Sequence, residues 1–295
     1  MKEKTIYALG FFDGVHLGHA ALLTQCHRLA TEKGCKSGVV TFDTHPDALV
    51  FGEAPLLINT PADRQRLISG FGIDRVVSLP FDEAMKHMPW QNFFHLLVEK
   101  HHACGIVVGS DFRFGYQGEG TAQALQALCK AQDIACTVVP QLSMDGAVIS
   151  STHIRSLLEA GKMEQAVRFL GHPHILTGEV VTGRRLGHTL GIPTANLLIP
   201  NGVVVPKQGV YACLACFDGE KYPAVTNVGN RPTVGGHRIT VEAWILDFDG
   251  DLYGKEITLE FHHFLRREEK FPTLEALKAE ILENALQTRN FFGKK

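Results

Sequence analysis

The chain has almost no net charge, because 29 lysine and arginine residues stand against 31 aspartate and glutamate residues in 295. Proteins that bind nucleic acid without regard to sequence are usually strongly basic, so that class is disfavoured. No apolar run approaches the roughly 20 residues that cross a bilayer, and we expect no membrane partner. The first residues, MKEKTIYALGFFDG, place acid beside base and lead directly into a predicted strand, so we expect no signal peptide.

The chain also lacks a cysteine framework, since its seven cysteines are odd in number and scattered. This usage is typical of a reducing cytoplasm, where we expect the protein to work. Cys213 and Cys216 form a CxxC pair, but GVYACLACFDG predicts a strand, on which residues three apart point to opposite faces. Packing or surface positions are therefore favoured over zinc there, as they are for the single cluster HHAC at 101–104.

The two halves of the chain differ in pattern. Residues 1–140 alternate apolar runs with helical periodicity, which predicts βαβ units around a parallel sheet. We predict strands at 5–10, 38–43, 75–79, 105–109 and 135–139, and helices at about 18–33, 61–70, 90–102 and 120–132. Two short helices are predicted over 151–171, ending at Gly161 and Gly171.

From residue 176 short β-type runs alternate with turn signals, which predicts an antiparallel barrel or sandwich. The stretch TLEALKAEILENALQTRNFF then predicts a C-terminal helix. We place the domain boundary near residue 172, which divides the chain into 1–172 and 173–295. The predicted fold class is α/β, with an antiparallel second domain.

The stretch LGFFDGVHLGH, at residues 9–19, stands where the first predicted strand turns into the first predicted helix. A helix N-terminus attracts phosphate through unpaired amides and a partial positive charge, and glycines allow close approach to the backbone. His16 and His19 add imidazole donors of a type that titrates near neutrality. The stretch predicts a triphosphate site, and the alternative is a pair of surface or capping histidines on a glycine-rich turn.

A second informative stretch is VVTGRRLGHTLGIPTANL, at residues 180–197. Its glycines bracket a turn-rich loop suited to wrapping phosphates. On an extended segment Thr194 and Asn196 point the same way, and their oxygen atoms are hard ligands of the kind Mg²⁺ prefers. The alternative is a polar strand start after a proline.

A third stretch, TVEAWILDF at 240–248, places Glu242 on the same strand face as Trp244, Leu246 and Phe248. A carboxylate on an apolar face must be paired, protonated or functional. A general base that takes a proton from a hydroxyl nucleophile fits this position. The alternative is a rim position where Glu242 reaches water.

Together these strings resemble the bacterial bifunctional riboflavin kinase/FAD synthetase family. GFFDGVHLGH, VVGSDFRFGYQGEG and ISSTHIRSLLEAG are similar to signatures of its FMN adenylyltransferase module. PTAN, the strand of Glu242, GVYA, NVGNRPTVGG, DLYGKEI and LRREEKF are similar to its riboflavin kinase module. The resemblance spans almost the whole chain in the family's order. It implies a Rossmann-like nucleotidylyltransferase domain over 1–172 and a riboflavin kinase β-barrel with a terminal helix over 173–295.

The resemblance implies two reactions that consume ATP. Riboflavin is phosphorylated to FMN, and FMN is adenylylated to FAD with release of pyrophosphate. Mg²⁺ is the implied cofactor, and riboflavin, FMN and ATP are the implied partners, without nucleic acid or membrane. The alternatives are a chain with one active module, or a flavin-binding regulatory protein on the same scaffold.

The resemblance also implies roles for individual residues. Glu242 is the base that activates the ribityl 5′-hydroxyl, His16, His19 and Arg155 serve the departing pyrophosphate, and Thr194 and Asn196 hold the metal. The implied ATP-binding residues are Gly10, Phe11, Asp13, Gly14, Gly18, Ser151, Thr152, Gly183, Arg184, Gly187 and Pro193. The implied flavin-binding residues are Asp111, Arg113, Asn227, Arg231 and Arg266. Without the resemblance, Ser150–Thr152 read as a helix N-cap and Arg155 as a solvated face residue.

The chain departs from the family's pattern at five positions. Many relatives have asparagine at the position of Phe11 and proline at that of Thr44. They often have a basic residue where His153 and His188 stand, and aspartate where Asn284 stands. None of these departures removes a residue assigned to the chemistry.

Overall fold

In a computed structural model the chain forms two compact units. The structure describes residues 3–183, 191–233 and 236–293, with backbone alone at 231–233 and 236–238. The first unit runs to Leu57 and continues from Pro61 to Ser151. The second contains Ile58–Thr60 and the chain from Thr152 onwards.

The first unit is built on a parallel sheet of five strands. Its helices are α1 (Leu17–Lys33), α2 (Pro46–Val50), α3 (Pro61–Ser69), α4 (Glu83–Lys86), α5 (Trp90–His95) and α6 (Ala122–Ala131), and a π-helical segment, Leu96–Lys100, extends α5. Its strands are β1 (Thr5–Leu9), β2 (Lys36–Phe42), β3 (Arg75–Leu79), β4 (Ala103–Gly109), β5 (Arg113–Phe114), β6 (Gly120–Thr121), β7 (Ala135–Val139), β8 (Ser143–Met144) and β9 (Ala147–Val148). The sheet has the order β3-β2-β1-β4-β7, while β5–β6 and β8–β9 form small hairpins.

Alternation along β1 creates a core on each face of the sheet. Ile6 packs on one face in a cluster with Leu23 of α1, and Tyr7 packs on the other face with Leu125 of α6. Because the chain moves from β1 to β2 on one side and later places β4 on the other, the carboxyl end of β1 is the topological switch point. Ligands of open α/β sheets bind at that point, and LGFFDGVHLGH begins there.

The second unit is a closed antiparallel barrel with helices. Its strands are β10 (His174–Val181), β11 (Ala195–Leu198), β12 (Gly209–Phe217), β13 (Glu220–Thr233), β14 (Gly236–Ile245) and β15 (Glu256–Arg266). Its helices are α7 (Ser151–Ala160), α8 (Met163–Leu170) and α9 (Leu274–Gly293). The first residue of α7 is the last residue of the first unit. The strand order around the barrel is β10-β11-β14-β13-β12-β15. Helix α9 packs on the outside of the barrel, where its Ala285 joins Val210, Val225 and Leu246 in one apolar cluster.

The predicted fold class is confirmed, and the open choice between barrel and sandwich is decided in favour of a closed barrel. Gly171 ends α8 in the left-handed conformation, as predicted. The CxxC segment lies on a strand, β12, as predicted, with Cys213 buried and Cys216 partly buried. The short helices α2 and α4 and the two hairpins were not predicted, because segments this short carry no measurable periodicity.

The units and the predicted domain boundary divide the chain at different places. The compact units separate between Ser151 and Thr152. The unit that contains the barrel therefore includes all of α8 and all of α7 except its first residue. The boundary near residue 172 remains a prediction about which residues serve which reaction.

Candidate active sites

The turn after β1 has an unusual backbone. Phe12, Gly14 and Val15 have φ of 62°, 80° and 41°, all in the left-handed region. Two of the three are not glycine, and such conformations persist only where the surroundings fix them. They cluster at binding sites, which agrees with the predicted role of this turn.

Contacts from β2 and α3 hold the turn. The carbonyl of Phe11 accepts hydrogen bonds from Oγ1 of Thr41 and Nη1 of Arg64, both at 3.0 Å. Nη2 of Arg64 donates to the carbonyl of Phe42 at 2.9 Å. Burial lowers the pKa of Arg64, and Asp13 opposes that shift. Sequence reasoning missed Arg64, because an arginine in a polar helix reads as a solvated face residue.

His16 is the N-cap of α1. Its Nδ1 accepts from the backbone N–H of His19 at 3.3 Å, and the two imidazole rings stack with centroids 3.7 Å apart. A Cβ atom at Gly18 would come within 3.1 Å of Cε1 of His16, so a small residue suits that position. His16 therefore caps α1, and its role at a phosphate remains a prediction.

His19 has a different environment. Desolvation of the ring, followed by the nearby His16 and Arg64, holds the pKa of His19 well below its usual range. The expectation that both imidazoles titrate near neutrality is wrong for His19, which is neutral at pH 7. Its Nδ1 is shielded from solvent and has no hydrogen-bond partner among the described residues. The role of His19 at a phosphate oxygen remains a prediction.

Other predicted residues of the first unit lie around the same sheet edge. Oγ of Ser151, the last residue of the first unit, donates to the carbonyl of Asp13 at 2.8 Å. Asp111 follows β4, the parallel neighbour of β1, and accepts from Nε2 of Gln141 at 3.3 Å. Arg113 is exposed on β5. Thr152 and Arg155 belong to the second unit, and their role at the phosphates remains a prediction.

In the second unit a row of side chains crosses three neighbouring strands. Asn196 on β11 is opposite Glu242 on β14, and Glu242 is opposite Asn227 on β13. Directly opposed residues of antiparallel strands point to the same face, so an amide, a carboxylate and a second amide stand side by side. The row continues through Val210 to Arg266.

Two cavities lie on either side of β14. Glu242 and Trp244 line a cavity of about 310 Å³, together with Asn227 and Arg266. The intervening Ala243 lines a cavity of about 460 Å³, whose other walls include Pro193, Phe248, Asp249 and Asp251. Thr194 lines both cavities. Glu242 and Trp244 share a face as predicted, while Phe248 lies in the larger cavity.

The polar groups of the smaller cavity are held by neighbours. Nδ2 of Asn227 donates to Oε1 of Glu268 at 3.3 Å. Nε of Arg266 donates to Oδ1 of Asn284 and contacts Oε1 of Glu280, each at 3.0 Å. Glu280 supplies the negative charge beside Arg266.

Gly183 lies directly against the predicted metal ligand Asn196. A Cβ atom built at Gly183 would be 2.3 Å from Nδ2 of Asn196. A side chain at Gly183 would therefore displace the amide of Asn196 where the chain enters the predicted phosphate loop. Arg184, Gly187 and His188 lie outside the described residues, as does the side chain of Arg231.

The comparisons with known proteins cover both units. The family model described as FAD synthetase matches residues 1–153, and the model described as riboflavin kinase matches residues 170–292. A bifunctional riboflavin kinase/FMN adenylyltransferase of Escherichia coli strain K12 is 36% identical, with 99% of this chain and 94% of that protein covered. Its counterpart in Listeria monocytogenes is 32% identical, with 98% and 93% covered.

This chain belongs to the bifunctional riboflavin kinase/FMN adenylyltransferase family. The predicted family resemblance is thereby confirmed. A crystal structure described as a macrolide-efflux protein of Streptococcus pneumoniae has the same fold, with a TM-score of 0.90, 30% identity and coverage of 98% of this chain and 95% of that one. None of the helices in the described part of this chain has the length and hydropathy of a transmembrane segment.

Family membership connects each site with one model. The turn after β1, with His16 and His19, lies within the part matched by FAD synthetase. The row of Asn196, Glu242 and Asn227 and the two cavities lie within the part matched by riboflavin kinase. Helices α7 and α8 fall mostly between the two matched ranges.

Proposed function

We propose that this chain phosphorylates riboflavin to FMN in its barrel and adenylylates FMN to FAD in its α/β unit. The observation that carries the proposal is the position of Thr194, which lines two cavities separated by β14, with Glu242 in one of them. Two cavities that share a polar wall suit the transfer of a phosphoryl group between two substrates.

For the kinase step, riboflavin occupies the smaller cavity, where Trp244, Val225 and Phe271 suit a flat aromatic ring. ATP occupies the larger cavity. Glu242 takes the proton of the ribityl 5′-hydroxyl, the oxygen forms a bond to the γ-phosphorus, and the bond from that phosphorus to ADP breaks. Asn227 and Arg266 orient the flavin, and Asn227 is itself oriented by Glu268.

The oxygen atoms of this region fit a magnesium ion. A hydroxyl at Thr194 and an amide oxygen at Asn196 are hard ligands, and the carboxylate of the proposed base Glu242 lies in register with Asn196. When bound, Mg²⁺ neutralises charge on the phosphates of ATP. Thr194 and Asn196 are the residues that would hold it, and Gly183 lets Asn196 keep its position.

The adenylyl step needs no base, because the phosphate of FMN is already an anion. A phosphate oxygen of FMN attacks the α-phosphorus of ATP, and the bond to pyrophosphate breaks. The amides at the start of α1 and the rings of His16 and His19 bind the departing pyrophosphate, and His16 also caps the helix. Arg155, Ser151 and Thr152 serve the same nucleotide, and Asp111 and Arg113 contact the flavin.

The proposal includes the setting of the enzyme. The partners are riboflavin, FMN and ATP, and neither nucleic acid nor membrane takes part. The cytoplasm is the compartment favoured by the seven cysteines, all of which lie among the described residues and none of which forms a disulfide. Residues 1–172 carry the adenylyltransferase reaction and residues 173–295 the kinase reaction.

Incubation with riboflavin, ATP and Mg²⁺, followed by chromatography of the flavins, tests the proposal. We expect FMN to appear first and FAD to follow. FMN without FAD, or FAD only from added FMN, would mean that one unit alone is active. Retention of riboflavin without either product would favour a flavin-binding regulatory protein.

A further inference from the structure

Arg64 is a buried arginine beside the adenylyltransferase site, and none of the predicted roles includes it. Its side chain belongs to α3 and the residue is only 4% exposed. Its guanidinium lies over the ring of Phe11, 4.2 Å from the centroid. A buried charge is unfavourable unless its N–H groups donate hydrogen bonds, so the atoms that accept those hydrogen bonds indicate what the residue does.

Those donors go to two backbone carbonyls on neighbouring strands. Phe42 is the last residue of β2, and Phe11 follows the end of β1. By donating to both, at 2.9 Å and 3.0 Å, Arg64 bridges the carboxyl ends of the two strands. The planar fork of a guanidinium can span two acceptors in this way, whereas the single nitrogen of lysine is a point donor.

The bridge ends next to the strained residues. Phe12, Gly14 and Val15 follow Phe11 directly and lie in the left-handed region. Thr41 supplies a second donor to the same carbonyl of Phe11. Strained backbone of this kind needs surroundings that determine it, and here the surroundings are Arg64 and Thr41.

We propose that Arg64 is a positioning residue for adenylyl transfer, fixing the turn so that the α1 N-terminus and His19 face the phosphates of ATP. The inference rests on the proposed adenylyltransferase function. Packing alone would be served better by an apolar residue than by a buried cation. The positive charge beside Asp13 also adds to the attraction for a polyphosphate.

The test compares Arg64→Lys with Arg28→Lys, an exposed arginine paired with Glu32 on α1. Displacement of a catalytic group by about 1 Å can cost about 10²-fold in rate. We expect Arg64→Lys to lower kcat for FMN adenylylation by at least tenfold, with a smaller change in KM for ATP. Riboflavin phosphorylation by the same preparation should stay within twofold, and Arg28→Lys should match the parent in both reactions.

Two outcomes would overturn the inference. One is an unchanged FMN-to-FAD rate per folded molecule, with only a lower melting temperature. The other is an equal loss of both reactions, which would give Arg64 a purely structural role. If Arg64→Lys does not fold, the near-isosteric Thr41→Val decides, since it removes the second donor to Phe11. A selective loss of adenylylation supports the inference, and a parental rate contradicts it.

Failure of the proposed function gives a different result. In that case the parent itself makes no FAD from FMN. Calorimetric titration with inorganic pyrophosphate then tests Arg64 directly. We expect Arg64→Lys to weaken pyrophosphate binding about tenfold, and parental binding would overturn the inference.

Discussion

His16 and His19 lie one turn apart with stacked rings, but their surroundings give them different tasks. Nδ1 of His16 accepts a backbone hydrogen bond and caps α1. The shielded Nδ1 of His19 has no hydrogen-bond partner among the described residues, and the ring is kept neutral by desolvation and neighbouring charge. His16 therefore builds the helix terminus, and both histidines remain proposed donors to the phosphates of ATP.

We expect His16→Asn and His19→Ala both to slow FMN adenylylation by about two orders of magnitude, since one such donor is commonly worth roughly 3 kcal/mol. Asparagine is a good N-cap, so His16→Asn should keep its stability, whereas His16→Ala should lose about 1 kcal/mol. Melting temperature and FMN-to-FAD rate are measured together. The exposed His27 on the same helix gives the control His27→Ala.

A normal FMN-to-FAD rate in the folded fraction of both His16→Asn and His19→Ala would mean that the histidines only hold the turn. Riboflavin phosphorylation should be unaffected in every one of these variants, because the kinase residues belong to the other unit.

Glu242 is the proposed base of the kinase step. We expect Glu242→Gln to lower riboflavin phosphorylation by about 10²- to 10⁴-fold, because loss of a general base typically costs this much. FMN adenylylation should stay at the parental rate. The exposed Glu179 on β10 gives the control Glu179→Gln. FMN production by Glu242→Gln at the parental rate would exclude Glu242 as the base, and the neighbouring Glu268 would become the next candidate.

At the scale of elements, the kinase site depends on how closely the end of β10 approaches β11. Val181 on β10 pairs with Asn196 on β11, and Gly183 follows two residues later. The absence of a side chain at Gly183 lets the backbone lie against the amide of Asn196. The start of the predicted phosphate loop and the predicted metal ligand are thus placed by one close contact.

We expect Gly183→Ala to displace Asn196 and to raise the Mg²⁺ concentration needed for half-maximal riboflavin phosphorylation several-fold. Thr194→Ala and Asn196→Ala should act in the same direction, because they remove ligands of one ion. Gly293→Ala is the control, since a Cβ atom there meets nothing within 4 Å. Identical Mg²⁺ titrations for all three site variants and the parent would leave PTAN as an ordinary strand start.

Helix α9 supports the same site from outside the barrel. Its Glu280 and Asn284 hold Arg266, whose guanidinium also lies 5.4 Å from the ring centroid of Phe271. Arg266 and Phe271 both line the smaller cavity. The terminal helix is therefore part of the proposed flavin site as well as of the core.

At the scale of the whole molecule, the two units contain different titrating groups that affect folding. His174 begins β10, is fully buried and packs near Phe261, and burial, followed by the nearby His172, lowers its pKa to about 3. Below pH 6.5 the unfolded chain binds a proton at this residue that the folded barrel does not. The stability of the barrel therefore falls as the pH drops from about 6.5 towards 3.

We expect His174 to lower the free energy of unfolding of the barrel by about 2 kcal/mol at pH 5 relative to pH 8. His174→Leu should remove that part of the pH dependence, while His95→Gln, at a half-exposed histidine in the first unit, should not. Urea unfolding is followed by the fluorescence of Trp244, with Trp90 replaced by phenylalanine. Equal pH slopes for the parent and His174→Leu would show that His174 does not govern the acid sensitivity of the barrel.

Much of this protein could be predicted from the sequence because the relevant signals are local. The periodicity of 5–10 and 18–33 indicates β1 and α1, and glycines mark the ends of α1 and α8. Short strings such as GVHLGH and PTAN hold chemical groups at fixed spacing, so they point to phosphate and metal before any fold is known. Family membership also follows from such strings, since they occur in one order along the chain.

The tertiary structure decided what residues far apart in the chain do together. It placed Arg64 on Phe11, 53 residues away, and Ser151 on Asp13, 138 residues away. It aligned Asn196, Glu242 and Asn227 through strand register, and it made one histidine a helix cap and lowered the pKa of its neighbour. These properties depend on strand pairing, burial and the field of neighbouring charges, which arise only when distant segments pack against one another.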